Sequence, residues 1–274
     1  MSGPATSDPA TSGPATAGPP APARTGYSEA VARLAAAQKS AKGAPAYSRF
    51  VNRPLGRRLA AAAHLLGATP NQVTAVSGAT TAAGIAVVAL APVAWWTGLV
   101  AAALLVLGYA LDAADGQLAR LRGGGSKAGE WLDHVVDAAK TSTLHLAVLV
   151  GAYRAWDPLP TTWLLLPLLF SACATTWFFT IILNDHLRRL AGTRDGQAVV
   201  AAGEARQHSV LRSLASVPVD YGVLCIVVAL LGWPAGFRWV YGSLAVGFAL
   251  VTAASMVAWY RQTTALDSAS RRSG

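Results

Sequence analysis

Long apolar segments alternate with short polar connections from about residue 73 to about residue 260. Each apolar segment is close to the length of about 20 residues that a helix needs to cross a bilayer. The pattern therefore predicts an all-α membrane protein with six transmembrane helices. The predicted spans cover 73–91, 96–119, 129–152, 160–184, 214–232 and 236–260.

The segment before the first span mixes basic and apolar residues. Residues 45–68 predict an amphipathic juxtamembrane helix that lies on the membrane surface. Its basic side chains would face anionic headgroups; they are Arg49, Arg53, Arg57 and Arg58. A helix that stays in solution is the alternative interpretation.

The two ends of the chain lack this apolar pattern. Residues 1–44 are rich in Pro, Ala, Gly, Ser and Thr, a composition that cannot bury a core and predicts a disordered tail. A short helix near Tyr27–Lys39 is a weaker signal within it. Residues 69–262 are predicted to form the six-helix transmembrane domain, and residues 263–274 a cytoplasmic tail.

Composition agrees with a membrane protein. The chain is 53% hydrophobic and 13% charged, whereas soluble domains carry about a quarter charged residues. A net charge of +9 is compatible with nucleic-acid binding or with basic cytoplasmic loops. Because the basic residues are spread along an apolar chain, the second interpretation is favoured, and no nucleic-acid partner is expected.

The distribution of positive charge predicts the orientation. The connections between spans two and three, and between spans four and five, are basic, whereas the opposite connections hold only Arg154 and Arg238. By the positive-inside rule, both termini and the connection between spans two and three face the cytoplasm. The expected location is a bacterial plasma membrane, crossed several times.

The ends of spans two and three that flank this basic connection are unusual because they contain four aspartates. Asp112 and Asp115 are three residues apart, and Asp133 and Asp137 are four apart. On helices, each pair lies on one face, one turn apart. The Gly-rich segment between the pairs can turn back sharply, so the four carboxylates could meet.

Four clustered carboxylates repel one another and need cations. Hard oxygen ligands favour Mg²⁺, Mn²⁺ or Ca²⁺, and two divalent ions would balance four charges. Two divalent metal ions held side by side in this way commonly bind phosphate oxygens. Gly116 would let a ligand approach the helix, and the Arg120 guanidinium suits phosphate oxygens. These residues predict a diphosphate ligand.

The spacing D-x2-D-G-x2-A-R-x8-G-x3-D-x3-D resembles the motif of the CDP-alcohol phosphotransferases, also called CDP-alcohol phosphatidyltransferases. It is formed by Asp112, Asp115, Gly116, Ala119, Arg120, Gly129, Asp133 and Asp137. The similarity extends over about residues 47–260. It implies a membrane enzyme of phospholipid biosynthesis that transfers a phosphatidyl or phosphoalcohol group from a CDP-linked donor to a hydroxyl and releases CMP. It also implies a homodimer.

The resemblance implies roles for individual residues. Asp112, Asp115 and Asp133 would hold two Mg²⁺ or Mn²⁺ ions, and Asp137 would be both ligand and general base. The CDP part would be contacted by Gly116, Ala119, Arg120 and Ser126, and Asn71, at the start of the first span, could reach the nucleotide.

Residues around the third and fourth aspartates bear on the substrate. A Pro after the third aspartate would resemble the phosphatidylglycerophosphate and cardiolipin synthases, but His134 stands there. An Arg after the fourth aspartate would resemble the phosphatidylinositol phosphate synthases, but Ala138 stands there. The Asp133–His134 pair is similar to the Asp-His pair found at this position in choline and ethanolamine phosphotransferases. CDP-diacylglycerol is the favoured donor, with a CDP-aminoalcohol as the alternative; the acceptor stays open.

The acceptor pocket is expected beside the metals, on spans four to six. The candidates are His186, Arg188, Arg189 and Asp220. For the arginines the alternative is anchoring by positive charge, and for Asp220 it is a polar residue at the membrane interface.

Other polar residues near the motif are given structural roles. Lys140 is expected to pair with Asp137 or Glu130, or else to extend its ammonium toward the interface. His134 and His145 are expected to pack or hydrogen-bond rather than bind metal. Glu130 is expected to point away from the Asp133–Asp137 face.

Two other classes of protein compete with the enzyme hypothesis. A transporter or cation channel would also use aspartates at membrane depth. An ion path would not need the Gly, Ala and Arg positions at fixed spacing. A structural scaffold with an inactive site is the third hypothesis, and the four intact aspartates argue against it.

Overall fold

The computed structural model describes residues 26–36, 45–190 and 220–273, and these residues form helices without a strand. The helices are α1 (Tyr27–Ala36), α2 (Arg53–Leu65), α3 (Pro70–Leu90), α4 (Trp95–Leu121), α5 (Lys127–Ala155), α6 (Leu165–Leu190), α7 (Tyr221–Val227) and α8 (Pro234–Ser273). A π-helical turn precedes α2, and 3₁₀ turns precede α6 and follow α7.

Five helices are long and apolar enough to cross a membrane in the described part of the chain. They cover Pro70–Leu90, Trp95–Leu121, Lys127–Ala155, Thr161–Leu187 and Pro234–Thr264. The apolar helix Tyr221–Gly232 is shorter, and the predicted fifth span begins at residue 214, outside the described residues. The all-α membrane fold is confirmed, and the number of six spans stays a prediction.

The α1 helix lies inside the segment whose composition predicts disorder. Its buried residues Ala30 and Leu34 are four apart and share an apolar cluster with Ala60 and Ala61 of α2. The expectation of disorder does not hold for Tyr27–Ala36, because one face of this helix finds an apolar surface to cover. The weaker signal for a helix near Tyr27–Lys39 is confirmed.

Helix α2, which is predicted to lie at the membrane surface, packs on α4 through small residues. Gly56 is buried, and a Cβ at this position would lie 2.9 Å from the Cβ of Ala113. The Gln117 amide also donates a hydrogen bond to the Arg53 carbonyl, at 3.2 Å. Close backbone approach between small residues is a common way for membrane helices to associate. One face of α2 therefore packs on the helix that carries the first two aspartates.

Helix α3 packs against the opposite side of α4 in the same manner. Ser77 donates a hydrogen bond to the Gly108 carbonyl at 2.8 Å, and a Cβ on Gly108 would collide with the Thr81 hydroxyl. The absence of a side chain at Gly108 lets the two helices approach closely. This register places Thr74, one turn before Ser77, beside the acidic end of α4.

An aromatic core packs the part of α5 beyond the acidic segment. The His145 ring stacks on Phe170 with centroids 3.9 Å apart, and its Nδ1 lies 2.8 Å from the Tyr241 hydroxyl. His145 is buried. It therefore has the packing and hydrogen-bonding role that the sequence predicts.

Candidate active site

The acidic segment is a helical hairpin made of the end of α4 and the start of α5. Gly123 and Gly124 follow α4 with φ of 95° and 135°, values in the left-handed region that glycine adopts readily. The Ser126 hydroxyl accepts a hydrogen bond from the Gly129 N–H at 3.0 Å and caps α5. The predicted turn between the two aspartate pairs is confirmed.

The hairpin brings the aspartates together. One carboxylate oxygen each from Asp112, Asp115 and Asp133 lies within 4.8 Å of the others. Asp133 and Asp137 form a second group at the same spacing with a ring nitrogen of His134. Asp133 belongs to both groups, so the four motif aspartates form one continuous carboxylate cluster.

Asp115 is the buried member of the cluster. It is 6% exposed, and the Thr74 hydroxyl donates to its Oδ2 at 2.5 Å. Thr74 is itself buried and also lies 3.1 Å from the Pro70 carbonyl. Sequence reasoning missed Thr74, because the contact depends on the register between α3 and α4.

Lys140 lies between two of the aspartates. Its Nζ is 2.7 Å from Asp112 Oδ1 and 2.5 Å from Asp137 Oδ1, and the side chain is 9% exposed. The predicted pairing of Lys140 with Asp137 is therefore confirmed. Its second partner is Asp112, and not the predicted alternative Glu130. Glu130 is half exposed, as predicted, and pairs instead with Arg189 at 3.0 Å.

The cluster suits a divalent metal. Its donors are hard carboxylate oxygens, which Mg²⁺ and Mn²⁺ prefer. Lys140 contributes one positive charge, which does not balance four carboxylates when all of them are ionised. The oxygens of Asp112, Asp115 and Asp133 lie close enough together to share one ion.

The residues predicted to contact CDP border this cluster. A Cβ on Gly116 would have the Arg120 Nη1 as its nearest neighbour among the described residues, at 3.6 Å, so these residues leave this face of α4 open. The Asn71 amide oxygen and the Ser126 hydroxyl would lie 2.8 Å and 3.2 Å from a Cβ on Gly129. The start of α3 therefore lies next to the start of α5. Contact of Gly116, Ala119, Arg120, Ser126 and Asn71 with CDP stays a prediction.

The predicted acceptor residues are spread over different places. Asp220 is 3% exposed; its Oδ2 accepts from the Tyr47 N–H at 2.9 Å and its Oδ1 from the Gly222 N–H at 3.1 Å. Oδ1 thus caps α7, and Oδ2 tethers the segment before α2. His186 and Arg189 are exposed near the end of α6, and the Arg188 side chain lies outside the described residues.

The His134 ring packs against α6 and borders the carboxylate cluster. Its ring is edge-on to Phe178 of α6, with centroids 6.4 Å apart. Its Nδ1 is buried and has no hydrogen-bond partner among the described residues. The predicted packing is present, and the ring also lies beside the Asp133 and Asp137 carboxylates.

Fold and site together define a helical membrane protein with a carboxylate centre suited to divalent ions and phosphate esters. Comparison with known proteins gives the same result. The sequence profile of the CDP-alcohol phosphatidyltransferases matches residues 68–257, which is most of the chain. The chain belongs to the CDP-alcohol phosphatidyltransferase family.

One curated relative is the archaetidylinositol phosphate synthase of Pyrococcus horikoshii. It is 32% identical over 105 residues, which cover 38% of this chain. The aligned part spans 50% of the relative's own length.

Replacing Thr74 by valine is expected to weaken the site without unfolding the protein. Valine keeps the shape but removes the donor to Asp115, and hydrogen bonds to metal ligands typically contribute about 10–100-fold to metal affinity or activity. Mn²⁺ binding to the purified variant, followed by electron paramagnetic resonance, measures the effect. Thr74→Ser keeps the hydroxyl and should behave like the wild type; equal losses in both variants would contradict the prediction.

Proposed function

We propose that this protein transfers a phosphatidyl or phosphoalcohol group from a CDP-linked donor to an alcohol hydroxyl and releases CMP, in phospholipid biosynthesis. The observation that carries the proposal is the carboxylate cluster. Four aspartates at the family's spacing lie together at one end of the transmembrane helices, beside the open face of Gly116 and Arg120.

The aspartates would hold two Mg²⁺ or Mn²⁺ ions, with Asp112, Asp115 and Asp133 as the central set. When bound, these ions neutralise the carboxylates and polarise the phosphate oxygens of the donor. Arg120 would bind diphosphate oxygens through its planar guanidinium. Gly116 and Ala119 leave room for the nucleotide, and Asn71 and Ser126 border it at the starts of α3 and α5.

Asp137 would act as the general base. It takes the proton of the acceptor hydroxyl while the hydroxyl oxygen forms a bond to the donor phosphorus. The anhydride P–O bond breaks, and CMP leaves with the bonding electrons. Because Lys140 pairs with Asp137 Oδ1, the other carboxylate oxygen of Asp137 is the one that would receive the proton.

CDP-diacylglycerol is the favoured donor. The relative described as an archaetidylinositol phosphate synthase supports a lipid-linked donor, and inositol phosphate therefore belongs among the acceptors to be tested. Ala138, where an arginine would resemble the phosphatidylinositol phosphate synthases, argues in the opposite direction. A CDP-aminoalcohol is the alternative donor, on the similarity of the Asp133–His134 pair.

The acceptor is proposed to bind near the end of α6, at His186, Arg188 and Arg189, with Asp220 as a weaker candidate. We expect His186→Ala and Arg189→Ala to raise the acceptor KM about tenfold at unchanged donor KM, because each would remove a polar contact to the acceptor. Glu130→Gln is the matched control, since it breaks the Arg189 ion pair but keeps the arginine. An unchanged acceptor KM removes that residue from the site. Asp220→Ala should lower thermal stability instead, because its Oδ1 caps α7 and its Oδ2 accepts the Tyr47 N–H.

The site is proposed to face the cytoplasm. Arg189 pairs with Glu130, so the basic end of α6 lies beside the start of α5, and Arg154 bonds the Ala89 carbonyl at the opposite ends of α5 and α3. This separation agrees with the positive-inside rule. A homodimer and a bacterial plasma membrane stay predictions.

The decisive experiment measures CMP release by purified protein in detergent. CDP-diacylglycerol and CDP-aminoalcohols are each offered with a panel of alcohols that includes inositol phosphate, in Mg²⁺, in Mn²⁺ and in EDTA. Metal-dependent CMP from one donor supports the proposal and identifies the donor class. If no donor gives metal-dependent CMP, the proposal is wrong, and ion transport by the same aspartates becomes the hypothesis to test.

A further inference from the structure

Lys140 is a buried cation in direct contact with two of the four motif aspartates. Its Nζ pairs with Asp112 on α4 and with Asp137 on α5, at 2.7 Å and 2.5 Å. The two contacts connect the two arms of the helical hairpin. Removing one partner of a buried ion pair is strongly destabilising, because the other charge is left uncompensated.

We propose that Lys140 is the resident counter-ion of the carboxylate cluster: it holds α4 to α5 before a metal is bound and competes with divalent ions for Asp112 and Asp137. The inference rests on the proposed function only in taking these aspartates as metal ligands. Lys140 is a positioning residue and not a catalytic one, since it acts through the carboxylates.

The geometry indicates that Lys140 competes with divalent ions for the aspartates, and does not only hold the aspartates in place. Lys140 contacts one carboxylate oxygen of Asp112 and one of Asp137, and carboxylate oxygens are the ligands that a divalent ion would take from these residues. An ammonium this close also repels any cation placed among the aspartates. A divalent ion that uses Asp112 or Asp137 must therefore displace Lys140 from it or share it at an electrostatic cost.

Charge balance gives Lys140 a second effect. With all four carboxylates ionised, the aspartates and Lys140 carry a net charge of about −3, and two divalent ions would bring the site to about +1 instead of neutrality. A site with a net positive charge attracts a diphosphate more strongly than a neutral one. Lys140 thus weakens metal binding in the free protein and favours the anionic donor once the metals are bound.

The test compares Lys140→Met with the wild type in two measurements that do not require turnover. In EDTA, the thermal midpoint in detergent should fall by roughly 5–10 °C, because the carboxylates lose their counter-ion. The Mn²⁺ dissociation constant, from electron paramagnetic resonance, should decrease about tenfold, and saturating Mn²⁺ should restore most of the lost midpoint.

Two controls separate this role from general effects of charge and packing. Lys127→Met removes the same charge from an exposed position on the same helix and should change neither quantity. Lys140→Arg keeps the charge and should keep the midpoint in EDTA. If Lys140→Met does not fold, the double variant Asp112→Asn with Lys140→Met restores the net charge of the cluster and should fold; its failure to fold would assign Lys140 a packing role and overturn the proposal.

Further outcomes would also overturn it. An unchanged midpoint in EDTA shows that Lys140 does not neutralise the metal-free cluster. Unchanged or weaker Mn²⁺ binding in Lys140→Met, with normal binding in the wild type, shows that it does not compete with metal, and the proposed transferase function is unaffected. If the wild type binds no Mn²⁺, both the metal site and the role of Lys140 fail.

Discussion

Replacing Asp137 by asparagine is expected to lower CMP release about 10³-fold while the protein still binds Mn²⁺. Asparagine has nearly the same shape as aspartate but cannot accept the proton of the acceptor hydroxyl, and general-base catalysis typically contributes 10²–10⁴-fold. The oxygens of Asp112, Asp115 and Asp133 remain grouped within 4.8 Å in this variant, so a metal-binding set is retained. The measurement pairs initial rates of CMP release with Mn²⁺ binding in the same preparation.

Glu130→Gln is the matched control for Asp137→Asn. It removes a carboxylate from the same helix, but Glu130 is half exposed and pairs with Arg189 outside the cluster. We expect this variant to keep CMP release close to the wild type at saturating acceptor. Full activity of Asp137→Asn would show that another group takes the proton, and the assignment of the base would be abandoned.

Replacing Asp115 by asparagine is expected to abolish both metal binding and activity. Asp115 is 6% exposed, belongs to the group formed with Asp112 and Asp133, and receives the Thr74 hydrogen bond. The substitution removes one negative charge from the most buried position of the cluster, where the electrostatic attraction for a cation is least screened. We expect at least about a 100-fold loss of Mn²⁺ affinity, more than the loss of a hydrogen bond to a ligand causes, and CMP release reduced to background.

The pair Asp115→Asn and Asp137→Asn separates metal binding from proton transfer. Asp115→Asn should lose both properties, whereas Asp137→Asn should lose turnover and keep Mn²⁺ binding at the set formed by Asp112, Asp115 and Asp133. Circular dichroism and the elution volume in detergent check that both variants stay folded. Normal Mn²⁺ affinity in Asp115→Asn would show that Asp115 is not a ligand, and the metal set would have to be redrawn around Asp133 and Asp137.

The sequence was sufficient for the hairpin because its causes are local. Three-residue and four-residue spacings place carboxylates on one helix face, and a glycine run permits the turn between the helices. The pairing of Lys140 with Asp137 is also local, since the two residues are three apart on one helix. The contact with Asp112 was missed because it joins different helices, 28 residues apart in the chain.

Composition and chain position did not predict the structure of segments that are stabilised by packing against distant parts of the chain. A tail rich in Pro, Ala and Gly predicts disorder, yet Tyr27–Ala36 forms a helix because Ala30 and Leu34 find an apolar surface on α2. Asp220 was predicted as an acceptor residue from its position alone. Its two oxygens accept backbone N–H groups of Tyr47 and Gly222, and the first of these contacts joins residues 173 positions apart.

By itself, the sequence determined the helical membrane fold, the four aspartates and the family, because apolar length and short-range spacing are properties of the chain. Only the tertiary structure decided which groups support those aspartates. Thr74 reaches Asp115 because Ser77 and Gly108 fix the register between α3 and α4, and Lys140 reaches Asp112 because the hairpin brings α4 against α5. Contacts between helices depend on how the helices pack, and no spacing within one helix encodes that.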